Sequence, residues 1–139
     1  MDLFKELVIA DYTFAKDKIF ANLTLSDEEM RIYEKVWGPL SESLPKPDLV
    51  IHLTATVDTC LSRIKQRGRS FEKSITADYL KQLTEAYNYF FHHYRETPLL
   101  VVDTNQIDFV KRKDDLEDLI RQVTRPFRGT QFYVPRGSR

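Results

Sequence analysis

Residues 49–68 read LVIHLTATVDTCLSRIKQRG, and this stretch decides the fold. It begins with a short apolar run, residues 49–53, which is typical of a strand covered on both faces of a sheet. A helix pattern follows at once, with apolar residues at the intervals i, i+3, i+4 and i+7: Val57, Cys60, Leu61 and Ile64. Thr56 can cap this helix, and Gly68 can end it, because glycine adopts the left-handed conformation cheaply.

The same order, a strand and then a helix, recurs along the chain. Apolar runs occupy residues 7–10 and 99–102, and each is followed by an aspartate, Asp11 or Asp103. Further helix patterns span residues 14–23, the segment after Ser26, the segment after Thr76, and residues 116–123. The sequence therefore predicts an α/β protein with about three parallel strands joined by crossover helices. Ligands bind beyond the carboxyl ends of such strands.

Composition limits the class of protein. The 139 residues contain 21 Lys and Arg against 21 Asp and Glu, and 42% of the chain is apolar. These values exclude collagen-like and generally disordered chains. No apolar run approaches the roughly 20 residues that a membrane span needs. The single cysteine, Cys60, cannot form an internal disulfide. We therefore expect one soluble, cytoplasmic domain without a membrane segment.

Three arginines form the strongest local signal. Arg63 and Arg67 are four residues apart and share one helix face, and Arg69 follows the predicted turn at Gly68. Guanidinium groups at one edge suit phosphate oxygens, because the planar fork donates two parallel hydrogen bonds. The alternative is that the arginines lie in solvent at the end of a helix, where cations interact favourably with the helix dipole. Spacing alone leaves both interpretations open.

Residues 63–72, together with Ile75 and the segment 79–83, resemble the lid of the deoxynucleoside kinase family. The lid of that family has an Arg-Gly-Arg-x-x-Glu core, an Ile three residues later and then a Tyr-Leu-x-x-Leu helix. Three other segments are similar to the family in the same order along most of the chain: residues 11–15, 47–49 and 101–103. Thymidylate kinases have a related lid, so the lid by itself does not choose between the two families.

The resemblance implies a kinase that transfers the γ-phosphoryl group of ATP, with Mg²⁺, to the 5′-hydroxyl of a deoxynucleoside. It implies that Arg67 and Arg69 hold the transferring phosphoryl group and that Arg63 packs near the ATP base. Glu72 matches the carboxylate that accepts a hydrogen bond from the sugar 3′-hydroxyl. Phosphoryl transfer depends on the positioning of the reactants and on positive charge beside the oxygens of the transferred group. The arginines supply this charge.

Further residues match less completely. Phe14 matches the aromatic residue that stacks on the nucleobase, and Asp11 matches a base-reading acid, although the spacing between them is one residue short. Asp108 and Phe109 resemble the loop that flanks the adenine of ATP.

The resemblance implies a partial nucleoside-kinase domain at residues 1–124, with its lid at 63–74. Residues 125–139 form a basic tail that we expect to be irregular. By similarity to bacterial members, purine substrates are favoured.

The sequence departs from the family at the phosphate-binding loop. Such a loop needs two glycines five positions apart, followed by Lys and Ser or Thr. The glycines are Gly38, Gly68, Gly129 and Gly137, and no pair has that separation. The family's general base and an arginine expected near residues 6–8 are also missing. We expect an incomplete P-loop-kinase-like sheet that lacks the strand between those predicted at residues 7–10 and 49–53.

Two other functions remain open from the sequence. The basic tail carries Phe127, Phe132 and Tyr133, and basic residues interleaved with aromatics can bind single-stranded nucleic acid. The neutral net charge argues against such a partner. A non-catalytic nucleotide-binding protein is the other possibility. The adjacent His92 and His93 do not indicate a metal site, because neighbouring helical residues point about 100° apart.

We predict that this chain alone has no kinase activity and self-associates, as a homodimer or larger species, through exposed strand edges. The measurement is ADP formation by the purified chain with ATP, Mg²⁺ and each deoxynucleoside in turn, with gel filtration of the same sample. Background ADP release and early elution are expected. Robust turnover by a monomer would contradict both parts of the prediction.

Overall fold

The structure is a computed structural model that describes residues 7–11, 13–126 and 128–135. The chain divides into two compact units at Leu44 and Pro45. Within the described residues, no helix is long and apolar enough to cross a membrane.

The first unit contains two helices, α1 (Ala15–Thr24) and α2 (Asp27–Ser43). A reciprocal capping box begins α2. The Ser26 backbone N–H donates to Glu29 Oε2 at 2.8 Å, and the Glu29 N–H donates to Ser26 Oγ at 3.4 Å. The predicted start of α2 after Ser26 is therefore confirmed.

The predicted strand at residues 7–10 is wrong. These residues adopt no regular secondary structure, and Leu7, Val8 and Ile9 are 87%, 81% and 87% exposed. A strand is stable when its backbone groups pair with a neighbouring strand. Among the residues that the structure describes, no strand pairs with this segment. An apolar run therefore did not suffice to form a strand here.

The second unit contains a parallel sheet with helices between its strands. The elements are β1 (Val50–Thr54), α3 (Val57–Arg67), a 3₁₀ turn (Ser70–Ser74), α4 (Ala77–His93), β2 (Leu99–Asp103), α5 (Lys113–Val123) and β3 (Thr130–Tyr133). The strand order is β1-β2-β3. β1 and β2 pair over five residues, with Thr54 opposite Asp103. The predicted α/β class with three parallel strands is confirmed.

The third strand of this sheet comes from the tail. β3 pairs with β2 in parallel from Thr130 to Tyr133, so the expectation of an irregular segment was wrong for these residues. The Leu99 N–H also donates to the carbonyl of Gly129 at 3.0 Å, which extends the pairing by one residue. Phe132 and Tyr133 are neighbours in a strand and therefore point to opposite faces. Phe132 is exposed, whereas Tyr133 packs against the core.

The core lies on both faces of β2. On one face Leu100 and Val102 form a buried cluster with Ile107, and partly buried residues pack around it: Leu49, Phe109, Leu119, Val123 and Tyr133. Leu119 and Val123 belong to α5, so this helix covers that face. On the other face, the His52 ring of β1 stacks on Phe91 of α4, with centroids 4.3 Å apart.

β1 leaves apolar surface uncovered. Its burial alternates along the strand, and Ile51 and Leu53 are 40% and 47% exposed. In the register with β2, they lie on the same face as Leu100 and Val102, which are buried. Because β1 lies at the end of the strand order among the described residues, its outer edge and this apolar face remain available for a further partner.

We expect the free energy of unfolding to fall as the solution is acidified from about pH 7.5 to about pH 5.5, by at most about 1.4 kcal/mol per pH unit. Burial lowers the pKa of His52 from its ordinary value of 6.5, and a side-chain hydrogen bond with Asn88 only partly opposes this shift. Between the two pKa values the unfolded chain binds more protons than the folded chain, so acid favours unfolding. Urea unfolding at several pH values measures the slope.

The matched control is His52→Phe, which keeps a ring against Phe91 and removes the titration. This variant should lose most of the slope in that pH range. An unchanged slope in His52→Phe would show that another group causes the acid sensitivity.

Candidate functional site

A left-handed turn at Gly68 shapes the segment of residues 63–74. Gly68 ends α3 with φ +65°, and its N–H donates to the carbonyl of Ile64 at 3.1 Å. A positive φ is strained for residues with a Cβ atom, so glycine fits this position. The chain then enters the 3₁₀ turn Ser70–Ser74. The reversal brings Glu72 back to the last turn of α3.

Glu72 joins two of the three arginines. Arg67 Nη1 lies 3.2 Å from Glu72 Oε1, and Arg69 Nη1 lies 4.0 Å from the same oxygen. The side chains of Arg67 and Arg69 are 51% and 56% exposed, whereas the side chain of Glu72 is only 10% exposed. A shielded carboxylate therefore holds two guanidinium groups whose remaining donors can reach solvent or an anion.

The second oxygen of Glu72 is the unusual feature of the cluster. Glu72 Oε2 is buried, and no group among the described residues donates a hydrogen bond to it. A buried acceptor without a donor costs about 1–3 kcal/mol, and most such atoms in proteins are paired. Both arginines lie at Oε1, so Oε2 remains free to accept a hydrogen bond. A hydroxyl group from a ligand is a suitable donor for this atom.

Arg63 contacts a different element. Its guanidinium donates to Thr104 Oγ1 at 2.8 Å, to the Thr104 carbonyl at 2.5 Å and to the Ile107 carbonyl at 3.1 Å. The structure therefore brings Arg67, Arg69 and Glu72 together, while the Arg63 guanidinium binds the loop that follows β2. Asp108 and Phe109 lie in this same loop.

Two carboxylates accept hydrogen bonds from the backbone of the loop after β2. The buried Asp115 accepts a hydrogen bond from the Asp108 N–H at 2.8 Å. Asp108 Oδ1 accepts bonds from the N–H groups of Val110 and Lys111. Phe109 packs against the core cluster of the sheet. The Asp108 carboxylate therefore shapes the turn, and the Phe109 ring is partly buried.

Asp11 and Phe14 belong to the first unit. Asp11 is exposed. The Phe14 ring stacks on Trp37 of α2, with centroids 5.6 Å apart and planes 14° apart. Lys18 Nζ lies 4.9 Å from the centre of the Trp37 ring. One face of Phe14 is therefore supported by Trp37, a contact that the sequence spacing does not reveal.

Thr104 and Asn105 also contact the helix that carries the arginines, and no sequence pattern had indicated them. Thr104 is 2% exposed, and Asn105 Oδ1 accepts a hydrogen bond from the Thr56 N–H at 2.8 Å. Both follow β2 at its carboxyl end, which is the one signal that could have identified them. Across the described ranges, no group of three or more His, Cys, Asp or Glu residues is arranged to hold a metal ion.

Comparison with known proteins supplies the family. The family model described as deoxynucleoside kinase matches residues 3–127. A deoxyguanosine kinase of Bacillus subtilis is 40% identical over 120 residues, covering 84% of this chain and 58% of that protein. A deoxyadenosine kinase of Lactobacillus acidophilus is 28% identical, with 86% and 62% covered. A human deoxycytidine kinase is 32% identical, with 86% and 49% covered. The chain thus spans about half to three-fifths of the length of these relatives.

Proposed function

Because the chain belongs to the deoxynucleoside kinase family, we propose that it supplies the lid and a sugar-binding acid for transfer of the ATP γ-phosphoryl group to the 5′-hydroxyl of a deoxynucleoside. One observation carries this proposal. Glu72 is a shielded carboxylate with two half-exposed arginines at one oxygen and a free acceptor at the other. The family match also favours this function over that of a thymidylate kinase.

Arg67 and Arg69 act on the phosphoryl group in this proposal. Their Nη1 atoms lie within 4.0 Å of Glu72 Oε1, which limits the directions in which the guanidinium planes can turn. The other N–H groups of each fork remain available for phosphate oxygens. Charge that spreads over the oxygens during transfer is stabilised by donors fixed in advance. Glu72 thus orients both arginines.

Glu72 Oε2 accepts the hydrogen bond of the sugar 3′-hydroxyl in this proposal. A bond between a neutral hydroxyl and a carboxylate contributes about 1.5–3 kcal/mol, and it satisfies an oxygen to which no described residue donates. The same residue would then bind the sugar and position the arginines. This arrangement links recognition of the acceptor to the geometry of the phosphoryl-binding groups.

The donor nucleotide lies beside Arg63, Asp108 and Phe109 in this proposal. Support comes from the contact between the Arg63 guanidinium and the loop that contains the other two residues. Mg²⁺ would arrive with the nucleotide, since it is commonly held by phosphate oxygens, water and one or two carboxylates.

The nucleobase of the acceptor is assigned to the first unit. Phe14 would stack on it, supported from behind by Trp37, and Asp11 would read its polar edge. We favour a purine, since relatives at 40% and 28% identity are named deoxyguanosine and deoxyadenosine kinases. A role in nucleotide salvage in the cytoplasm fits this substrate class and the unpaired Cys60.

Self-association is also part of the proposal. The open edge of β1 and the exposed Ile51 and Leu53 offer backbone donors and acceptors beside apolar surface. Such an edge pairs readily with another strand. A second copy of this chain is the proposed partner when the purified chain is studied alone.

The experiment is calorimetric titration with deoxyguanosine 5′-monophosphate, which carries both a phosphate and a 3′-hydroxyl. Glu72→Gln should weaken binding by about tenfold or more, because a charged acceptor is lost and the arginines are no longer held. Glu85→Gln removes an exposed carboxylate of α4 and should leave the affinity unchanged. If the two variants bind equally well, or the unaltered chain does not bind, the proposed function is refuted.

A further inference from the structure

Thr104 connects three elements of the second unit. It lies directly after β2 and is 2% exposed. Its N–H and its hydroxyl both donate to the carbonyl of Thr54, the last residue of β1, at 2.9 and 2.8 Å. Its hydroxyl oxygen also accepts a hydrogen bond from Arg63 of α3 at 2.8 Å. One buried side chain thus joins the ends of two strands to a helix.

The Arg63 contacts use the whole fork of the guanidinium. Nη1 binds the Thr104 hydroxyl, while Nη2 binds the carbonyls of Thr104 and Ile107. Two carbonyls three residues apart can be bridged in this way because the group is planar and rich in donors. A lysine, with a single nitrogen, would not reproduce this pattern. The Arg63 guanidinium therefore joins the two ends of the loop segment from Thr104 to Ile107.

Two further bonds connect the loop with α3. Asn105 Oδ1 accepts from the N–H of Thr56, the residue that caps α3. Lys111 Nζ donates to Gln66 Oε1 at 3.3 Å, one residue before the end of the helix. The loop is thus attached near the start, the middle and the end of α3. The Arg63 contact is the one that depends on a buried partner.

We propose that Thr104 is a positioning residue that, through Arg63, fixes the loop of residues 104–112 to α3. The loop containing Asp108 and Phe109 and the helix that ends in Arg67 then move as one body. This inference rests on the proposed function for its meaning, since those residues are assigned there to the nucleotide and the phosphoryl group. The connection itself is a property of the chain without ligand.

The test compares Thr104→Val with Thr104→Ser by amide hydrogen exchange of the full chain without nucleotide. Valine keeps the shape and removes the hydroxyl, whereas serine keeps the hydroxyl. In Thr104→Val the amides of residues 105–111 should exchange about tenfold faster or more, because a hydrogen bond to a charged group is lost. Amides of α4 should keep their rates, and Thr104→Ser should match the unaltered chain throughout.

Arg63→Lys provides a second route to the same result. It should speed exchange in the same segment at least as much as Thr104→Val, because it also disturbs the bonds to the Thr104 and Ile107 carbonyls. Adding Thr104→Val to Arg63→Lys should then increase the rates less than the sum of the two single effects, because the variants share the bond between Arg63 and the Thr104 hydroxyl. Equal exchange in the loop of Thr104→Val and the unaltered chain would overturn the proposal. A uniform rise that includes α4 would also overturn it, since that is general destabilisation. Failure of the proposed function alone would give a different result. The exchange pattern would be as predicted, but the chain would not bind the nucleotide.

Discussion

The parallel pairing of β1 with β2 determines where the candidate site residues of the second unit lie. The two strands run together for five residues and end at Thr54 and Asp103. Each strand is then followed by a segment that carries candidate site residues. α3 begins at Val57, and the loop that binds Arg63 begins at Thr104. Because parallel strands end at one edge of the sheet, backbone pairing places the arginine helix and the loop after β2 side by side, and side-chain bonds then join them.

The cluster of Arg67, Arg69 and Glu72 depends on how a shielded charge is compensated. Glu72 loses most of its contact with water, and a carboxylate in such a place is destabilising unless cations or donors replace the water. Arg67 and Arg69 compensate one oxygen, and the turn at Gly68 makes this contact possible. The second oxygen receives no hydrogen bond from the part of the chain that the structure describes. The two arginines therefore compensate one oxygen of Glu72, and the other oxygen can accept the hydroxyl that the proposed function assigns to it.

The sequence predicted elements that carry local signals. Ser26, Thr56 and Thr76 each accept a hydrogen bond from the helix that follows, because capping depends on nearby residues. Residues 7–10 have the apolar character of a strand, but no described strand pairs with them. Strand pairing depends on a second segment, so the sequence of one segment does not predict it. β3 was not predicted because only Phe132 and Tyr133 of its four residues are apolar. These two residues are adjacent and lie in a basic segment, so they form no recognisable strand pattern.

The sequence likewise predicted the local contacts of the candidate site and not those between residues distant in the chain. The proximity of Arg67, Arg69 and Glu72 follows from helix spacing and one glycine turn, and the resemblance supplied a role for each residue. The Arg63 contacts with Thr104 and Ile107 span 41 and 44 positions in the sequence, and no local pattern encodes them. The stacking of Phe14 on Trp37 is hidden for the same reason. Contacts of this kind depend on how elements pack, which spacing along one element does not describe.

The central claim is that the free oxygen of Glu72 accepts the hydroxyl of a sugar. Carboxyl carbon resonances of the glutamate-labelled chain report this contact directly, when spectra with deoxyguanosine 5′-monophosphate are compared with those of its 3′-deoxy analogue. Our account predicts that the Glu72 resonance, assigned through Glu72→Gln, moves with the first compound and much less with the second. Equal movement with both compounds, or none with either, would contradict it.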